Sequence, residues 1–176
     1  MLRALAFSAI LAVVSSGAAP DSTAPAPPPE SGQFDFLIGA WDIVSEPNLP
    51  GVPERVRGQW TARKSADGYM VVDEYRVFGD GGDTVYLGET YRVFNPSKKR
   101  WEFRFVEPFS GTWHEGTGVR EGKEMHLTQG TPGGGSLTKI RYYDIRPDGF
   151  SWISERSRDG GKTWTKGARI EATRAK

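Results

Sequence analysis

From residue 33 onward the apolar positions recur with a period close to two, interrupted by turn-forming clusters about every 8 to 14 residues. Trp101, Phe103 and Phe105 alternate with Arg100, Glu102 and Arg104, the pattern of a strand with one buried face. Phe150 and Trp152 repeat it after the turn Pro147-Asp148-Gly149. The stretches 69–78 and 84–94 are β-branched and aromatic, and Asp80-Gly81-Gly82-Asp83 between them is hairpin chemistry. Asn95-Pro96-Ser97 and Glu121-Gly122 supply further turns, and Thr131 to Gly135 a looser loop. The pattern predicts strands near 40–46, 55–64, 69–78, 84–94, 100–107, 111–120, 123–129, 137–146, 149–157 and 163–173. No helical stripe interrupts them; Phe34 to Ile38 fits one short helical turn. The tetrapeptide Tyr-Arg-Val-Phe at 75–78 and 91–94 reads as shared strand propensity. Consecutive antiparallel strands on short turns form a meander, and about 8–10 of them close into an up-and-down barrel that leaves no edges. A two-sheet β-sandwich is the alternative.

The N-terminal segment is of another kind. Arg3 precedes an apolar run from Ala4 to Val14, and small residues at 16–19 offer cleavage after Ala18 or Ala19, which together read as a signal peptide over 1–19. The run is too short to span a bilayer, so no membrane insertion is expected after cleavage. Export would place the protein in the periplasm, with the extracellular medium as the alternative. Residues 20–32 are rich in Pro, Ala and Ser without a large apolar side chain, and read as a disordered tether. A single domain over 33–176 follows.

Composition narrows the chemistry. The chain has no cysteine, which excludes disulfide scaffolds, thiol nucleophiles and zinc ribbons. Its 23 Lys+Arg against 22 Asp+Glu are interleaved along the strands, so no nucleic-acid footprint is expected. No phosphate loop, Gly-x-Ser-x-Gly elbow, His-Glu-x-x-His or dinucleotide fingerprint is present, and no cofactor is expected.

Two motifs stand out at the ends of the domain. Phe34-Asp35-Phe36-Leu37-Ile38-Gly39-Ala40-Trp41 puts a Gly-x-Trp at the start of the first strand. Ser157-Arg158-Asp159-Gly160-Gly161-Lys162-Thr163-Trp164 fits Ser-x-Asp-x-Gly-x-Thr-Trp, the Asp box of sialidase propellers. One copy in a domain this size cannot build a propeller, so Ser157, Asp159, Gly161, Thr163 and Trp164 are assigned to a hairpin turn. Together the two motifs resemble the secreted bacterial lipocalin-like, calycin-type barrels of unknown function. The resemblance implies a closed barrel in which Gly39 and Trp41 are structural and Trp41 plugs one end.

The only histidines, His114 and His126, sit on adjacent strands. With Glu121-Gly122 as the whole loop they face opposite sides of the sheet; a three-residue loop would bring them to one face, the only register that permits a shared metal. No third ligand is fixed by spacing, and no metal is assigned. Haem, which some calycin barrels hold through a late histidine, lacks one here after position 126.

Charges fall on strands whose other residues look inward. Arg141 and Tyr143 share a parity with Leu137 and Ile145, and Arg156 shares one with Phe150 and Trp152, leaving Glu155 on the other face. Glu74, Glu89 and Glu115 lie on flanking strands. A wet cavity with a few polar groups is how ligand sites are built. Arg141, Tyr143, Trp152, Arg156 and Trp113 are therefore candidate ligand contacts for a small, largely apolar molecule. Glu115, Glu155 and His114 are candidate acid/base groups for a cofactor-free isomerase, cyclase or hydratase on the same barrel. A solid scaffold that works through its loops is the third alternative.

Overall fold

The computed structural model describes residues 25–48, 51–131 and 135–176. The signal-peptide reading of 1–19, most of the Thr131 to Gly135 loop and the first part of the tether lie outside them. Ten strands follow in sequence: β1 (Gly39–Glu46), β2 (Val56–Ser65), β3 (Met70–Phe78), β4 (Thr84–Asn95), β5 (Arg100–Glu107), β6 (Thr112–Glu121), β7 (Glu124–Gln129), β8 (Leu137–Arg146), β9 (Gly149–Ser157) and β10 (Thr165–Arg174). Each pairs antiparallel with its neighbours in sequence, and β1 pairs with β10, closing the barrel. It is the up-and-down lipocalin-like barrel, not the sandwich. Every strand end lies within two residues of its expected place.

One end is filled by a 3-10 helix, Pro29–Leu37. It reaches back into the segment expected to be a disordered tether, with proline at its first turn, where the missing N–H costs nothing. Three residues per turn put Ser31, Phe34 and Leu37 on one edge, and all three are buried. Burying Phe34 and Leu37 contributes roughly 1.5–3 kcal/mol each. The Phe34 ring meets Trp101 and Tyr142 edge-on, with centroids 4.9 and 5.8 Å apart, and Phe36 meets Phe150 at 5.7 Å. Trp41 lies in the same cluster, fully buried, and its indole N–H donates to the Leu37 carbonyl at 2.8 Å. From outside, the Arg174 guanidinium covers the Trp41 ring at 3.7 Å and donates to the carbonyl of Ile38. Gly39 leaves room for it: at φ 119° a Cβ would sit 2.4 Å from Arg174 Nη1.

A charged pair crosses this aromatic floor. Asp73 on β3 and Arg92 on β4 form a buried ion pair. The Trp60 indole donates to Asp73 at 2.7 Å, and Arg92 Nη2 donates to the Tyr142 hydroxyl at 3.1 Å. Burial pushes the Arg92 pKa down, and the neighbouring Tyr142 hydroxyl opposes that shift.

Candidate functional site

Cross-strand partners share a face, so the register settles which side chains look into the barrel. On β5 the inward series Trp101, Phe103, Phe105 continues to Glu107. Phe105 pairs with His114 on β6, which therefore also looks inward. Inward glycines make space for these rings: a Cβ at Gly88 or Gly116 would lie 2.4 Å from the Phe105 or Phe103 ring. From β4, Tyr86 pairs with Val77 and faces in at the same level. From β9, Trp152 pairs with Tyr142 and Ile170, and Arg156 with Thr138, on the inner face.

Tyr86, Glu107 and His114 converge at the end of the barrel away from the helix. The Tyr86 hydroxyl donates to Glu107 Oε1 at 2.7 Å, and His114 Nε2 lies 3.9 Å from Glu107 Oε2. Ser110, in the β5–β6 turn, donates to the second oxygen at 3.4 Å. The His114 ring stacks on Phe105 at 5.9 Å, and the Tyr86 ring meets Tyr75 edge-on at 5.7 Å. Burial and the Glu107 carboxylate push the Tyr86 phenol well above its ordinary range. It is a fixed donor at any physiological pH. Arg156 is close enough to oppose that shift and forms no ion pair among the described residues. Although they face inward, the His114 and Glu107 side chains are 33% and 32% exposed, so water reaches them at this end of the barrel.

The other sequence candidates lie elsewhere. Arg141 pairs with His126 and Ile153 on the outer wall, where it stacks on Tyr143 and meets Glu124 at 3.5 Å. The parity shared with Ile145 fails because a bulge at Asp144, φ 48°, turns the strand over, and Ile145 packs against the core. Leu137 faces outward too, buried beneath the hairpin turn at Gly161. Glu115 is outside, paired with Arg104 at 2.6 Å, and Glu155 is outside, opposite Lys139 and Lys166. Glu74 and Glu89 also face out, as does Trp113, opposite Val106. Of the three acid/base candidates only His114 looks into the barrel.

The β6–β7 loop is Gly122-Lys123, with Glu121 paired to Glu124, so the register slides from the expected one by two residues. The shift preserves parity, and the histidines face opposite sides. His126 lies outside against Glu124 at 3.0 Å. Among the described residues no three His, Asp or Glu side chains gather to hold a metal ion.

The Asp-box segment forms a self-bonded turn. Asp159 accepts from the Thr163 hydroxyl at 2.6 Å and from the backbone N–H groups of Lys162 and Thr163 at 3.0 and 2.9 Å. Ser157 donates to Asp159 and accepts from the Gly161 N–H, and Trp164 donates to the Gly161 carbonyl. Lys139 caps the Trp164 ring at 4.0 Å.

Tyr86 and Glu107 were missed by sequence reasoning. The signal for Glu107 was there: one more step of the Trp101, Phe103, Phe105 alternation reaches it. Tyr86 needed the register across two hairpins.

The sequence matches no protein-family model and no curated protein. Among solved structures the barrel is similar to Rv2717c from M. tuberculosis, with a TM-score of 0.61 and 16% identity over 85% of this chain and 99% of that one. It is also similar to the S-type phycobiliprotein lyase CpeS from Guillardia theta, with a TM-score of 0.55 and 14% identity over 81% of this chain and 90% of that one. At these identities the likeness is one of fold, a closed up-and-down antiparallel barrel.

Proposed function

We propose that the chain is an exported binding protein that holds a small, largely apolar molecule in the open half of its barrel. The observation that supports this most is the one-third exposure of inward-facing His114 and Glu107 beside aromatic walls. Water reaches these groups at the rim, so they stand ready to meet the polar end of a ligand without the cost of a buried charge. Phe105, Tyr75 and Trp152 supply the apolar wall. Tyr86, Glu107 and His114 form a polar end that orients the ligand through an acceptor carboxylate, and Arg156 offers a cation across from it. A phycobiliprotein lyase built on a similar barrel is in keeping with such a use.

Native mass spectrometry of protein expressed with its leader and recovered from the cell envelope tests the reading. The expected result is an adduct on the order of a few hundred daltons that leaves on denaturation, on a chain beginning at Ala19 or Pro20. Glu107→Gln and Trp152→Ala are each expected to lower its occupancy, with affinity about tenfold weaker or more. A bare mass after incubation with lipid and metabolite extracts would favour the solid scaffold. A ligand released chemically altered would make the site an enzyme's.

A further inference from the structure

The outer wall over β2 to β6 carries two adjacent cross-strand rows that the barrel interior does not use. One runs Arg63, Val72, Tyr91, Arg104, Glu115, and the next runs Thr61, Glu74, Glu89, Val106, Trp113. Trp113 is 58% exposed, unusual for the largest side chain of a strand that could have turned it inward. Its ring lies nearly parallel to that of Tyr91, at 27° and 6.5 Å between centroids, with Val106 on the strand between them. Val72 and Val106 face out yet are only 6% and 8% exposed, so the long side chains around them form a continuous layer. Beside Tyr91 the wall sinks into an open depression of about 240 Å³ lined by residues 61–63, 72–74 and Glu89. Tyr91 borders that depression, two residues from Glu89 on the same face of β4 and in one cross-strand row with Val72 and Arg63.

We propose that this wall is a second binding site, separate from the barrel mouth, for a neutral oligosaccharide. The Tyr91–Trp113 pair offers the ring faces on which the C–H face of a sugar stacks, because the negative π-face attracts polarised C–H groups. The depression next to it presents what hydroxyl groups need: a carboxylate acceptor on Glu89, a second on Glu74 that Arg76 already holds, a guanidinium donor on Arg63 and the Thr61 hydroxyl. Other occupants fit worse. A closed barrel has no strand edge for an extended peptide to join. Arg76 meets the Glu74 charge and Arg63 stands against Glu89, so the depression has no net charge to draw in phosphate backbones or anionic lipid headgroups. A lone apolar partner would leave Glu89 and Arg63 dehydrated and unmatched.

The test is binding of the purified protein to a printed array of neutral α- and β-linked gluco-, manno-, galacto- and N-acetylglucosamine oligosaccharides, followed by calorimetry with the best probe. Wild-type protein is expected to bind a subset of them. Trp113→Ala and Tyr91→Ala should each weaken binding about tenfold or more, and Glu89→Gln should weaken it while leaving the circular dichroism spectrum unchanged. Glu107→Gln, in the barrel mouth, should leave it unaffected, which separates this site from the one proposed above. No binding on the array, binding to anionic glycans alone, or binding that survives Trp113→Ala would overturn the proposal. A concentration-dependent dimer abolished by Trp113→Ala would also overturn it, assigning the wall to a second copy of this chain.

Discussion

At the residue scale the buried pair Asp73 and Arg92 shows how a charge is kept inside an aromatic floor. Each has a partner beyond the other, the Trp60 indole on one side and the Tyr142 hydroxyl on the other. Arg92→Met alone would leave a buried carboxylate without its cation, and is expected to cost about 3–5 kcal/mol in urea unfolding. The double variant Asp73→Leu, Arg92→Met should cost far less than the two single variants summed, and a double-mutant cycle measures the difference. Trp41→Ala removes a fully buried ring beneath Arg174, with an expected loss of about 3–5 kcal/mol. The place of Trp41 was expected from the resemblance of its Gly-x-Trp to calycin-type barrels. Its partner Arg174 was not, because that contact joins residues at opposite ends of the domain.

At the scale of single elements, local chemistry and local geometry agree in the turn after β9. Ser157, Asp159 and Thr163 bond one another within seven residues, so their spacing alone specifies the turn. The Thr163 hydroxyl and the backbone N–H groups hold the Asp159 carboxyl below its usual range. A group depressed in the folded state stabilises above its unfolded pKa and loses that contribution as pH falls through the folded value. Asp159→Asn should therefore lower the melting temperature at neutral pH. The gap from wild type should narrow in strong acid, read by scanning calorimetry across pH. The helix before β1 shows the opposite case. Its first four residues look like tether by composition, and they are ordered only because Phe34 and Leu37 pull the segment into the barrel end.

For the whole molecule, three phenols point into one barrel, and burial raises the pKa of Tyr75, Tyr86 and Tyr142. The unfolded chain releases those protons near pH 10, about the ordinary phenol value, while the folded chain retains them. Folding stability is then complete below that pH and falls as pH rises towards the folded values. The urea midpoint should drop above about pH 10, with phenolate absorbance appearing only as the barrel opens. Tyr142→Phe, which removes one such proton, should flatten the decline.

Strand number, strand limits and meander order were legible in the chain because a period of two and short turns are local properties. The hairpin turn was legible for the same reason, carried by residues a few positions apart, whereas the plugging Trp41 was expected only from the resemblance to calycin-type barrels. Which face of each strand is inside was only partly so. Alternation held on β5 and β9, reaching Trp152 and Arg156, but the bulge at Asp144 broke it on β8 and left Arg141 and Tyr143 outside. The meeting of Tyr86, Glu107 and His114, the buried Asp73–Arg92 pair and the rows that put Trp113 over Val106 were decided by the tertiary structure alone. They depend on the register of several hairpins at once, and a one-residue slip in any of them sends a side chain to the other face.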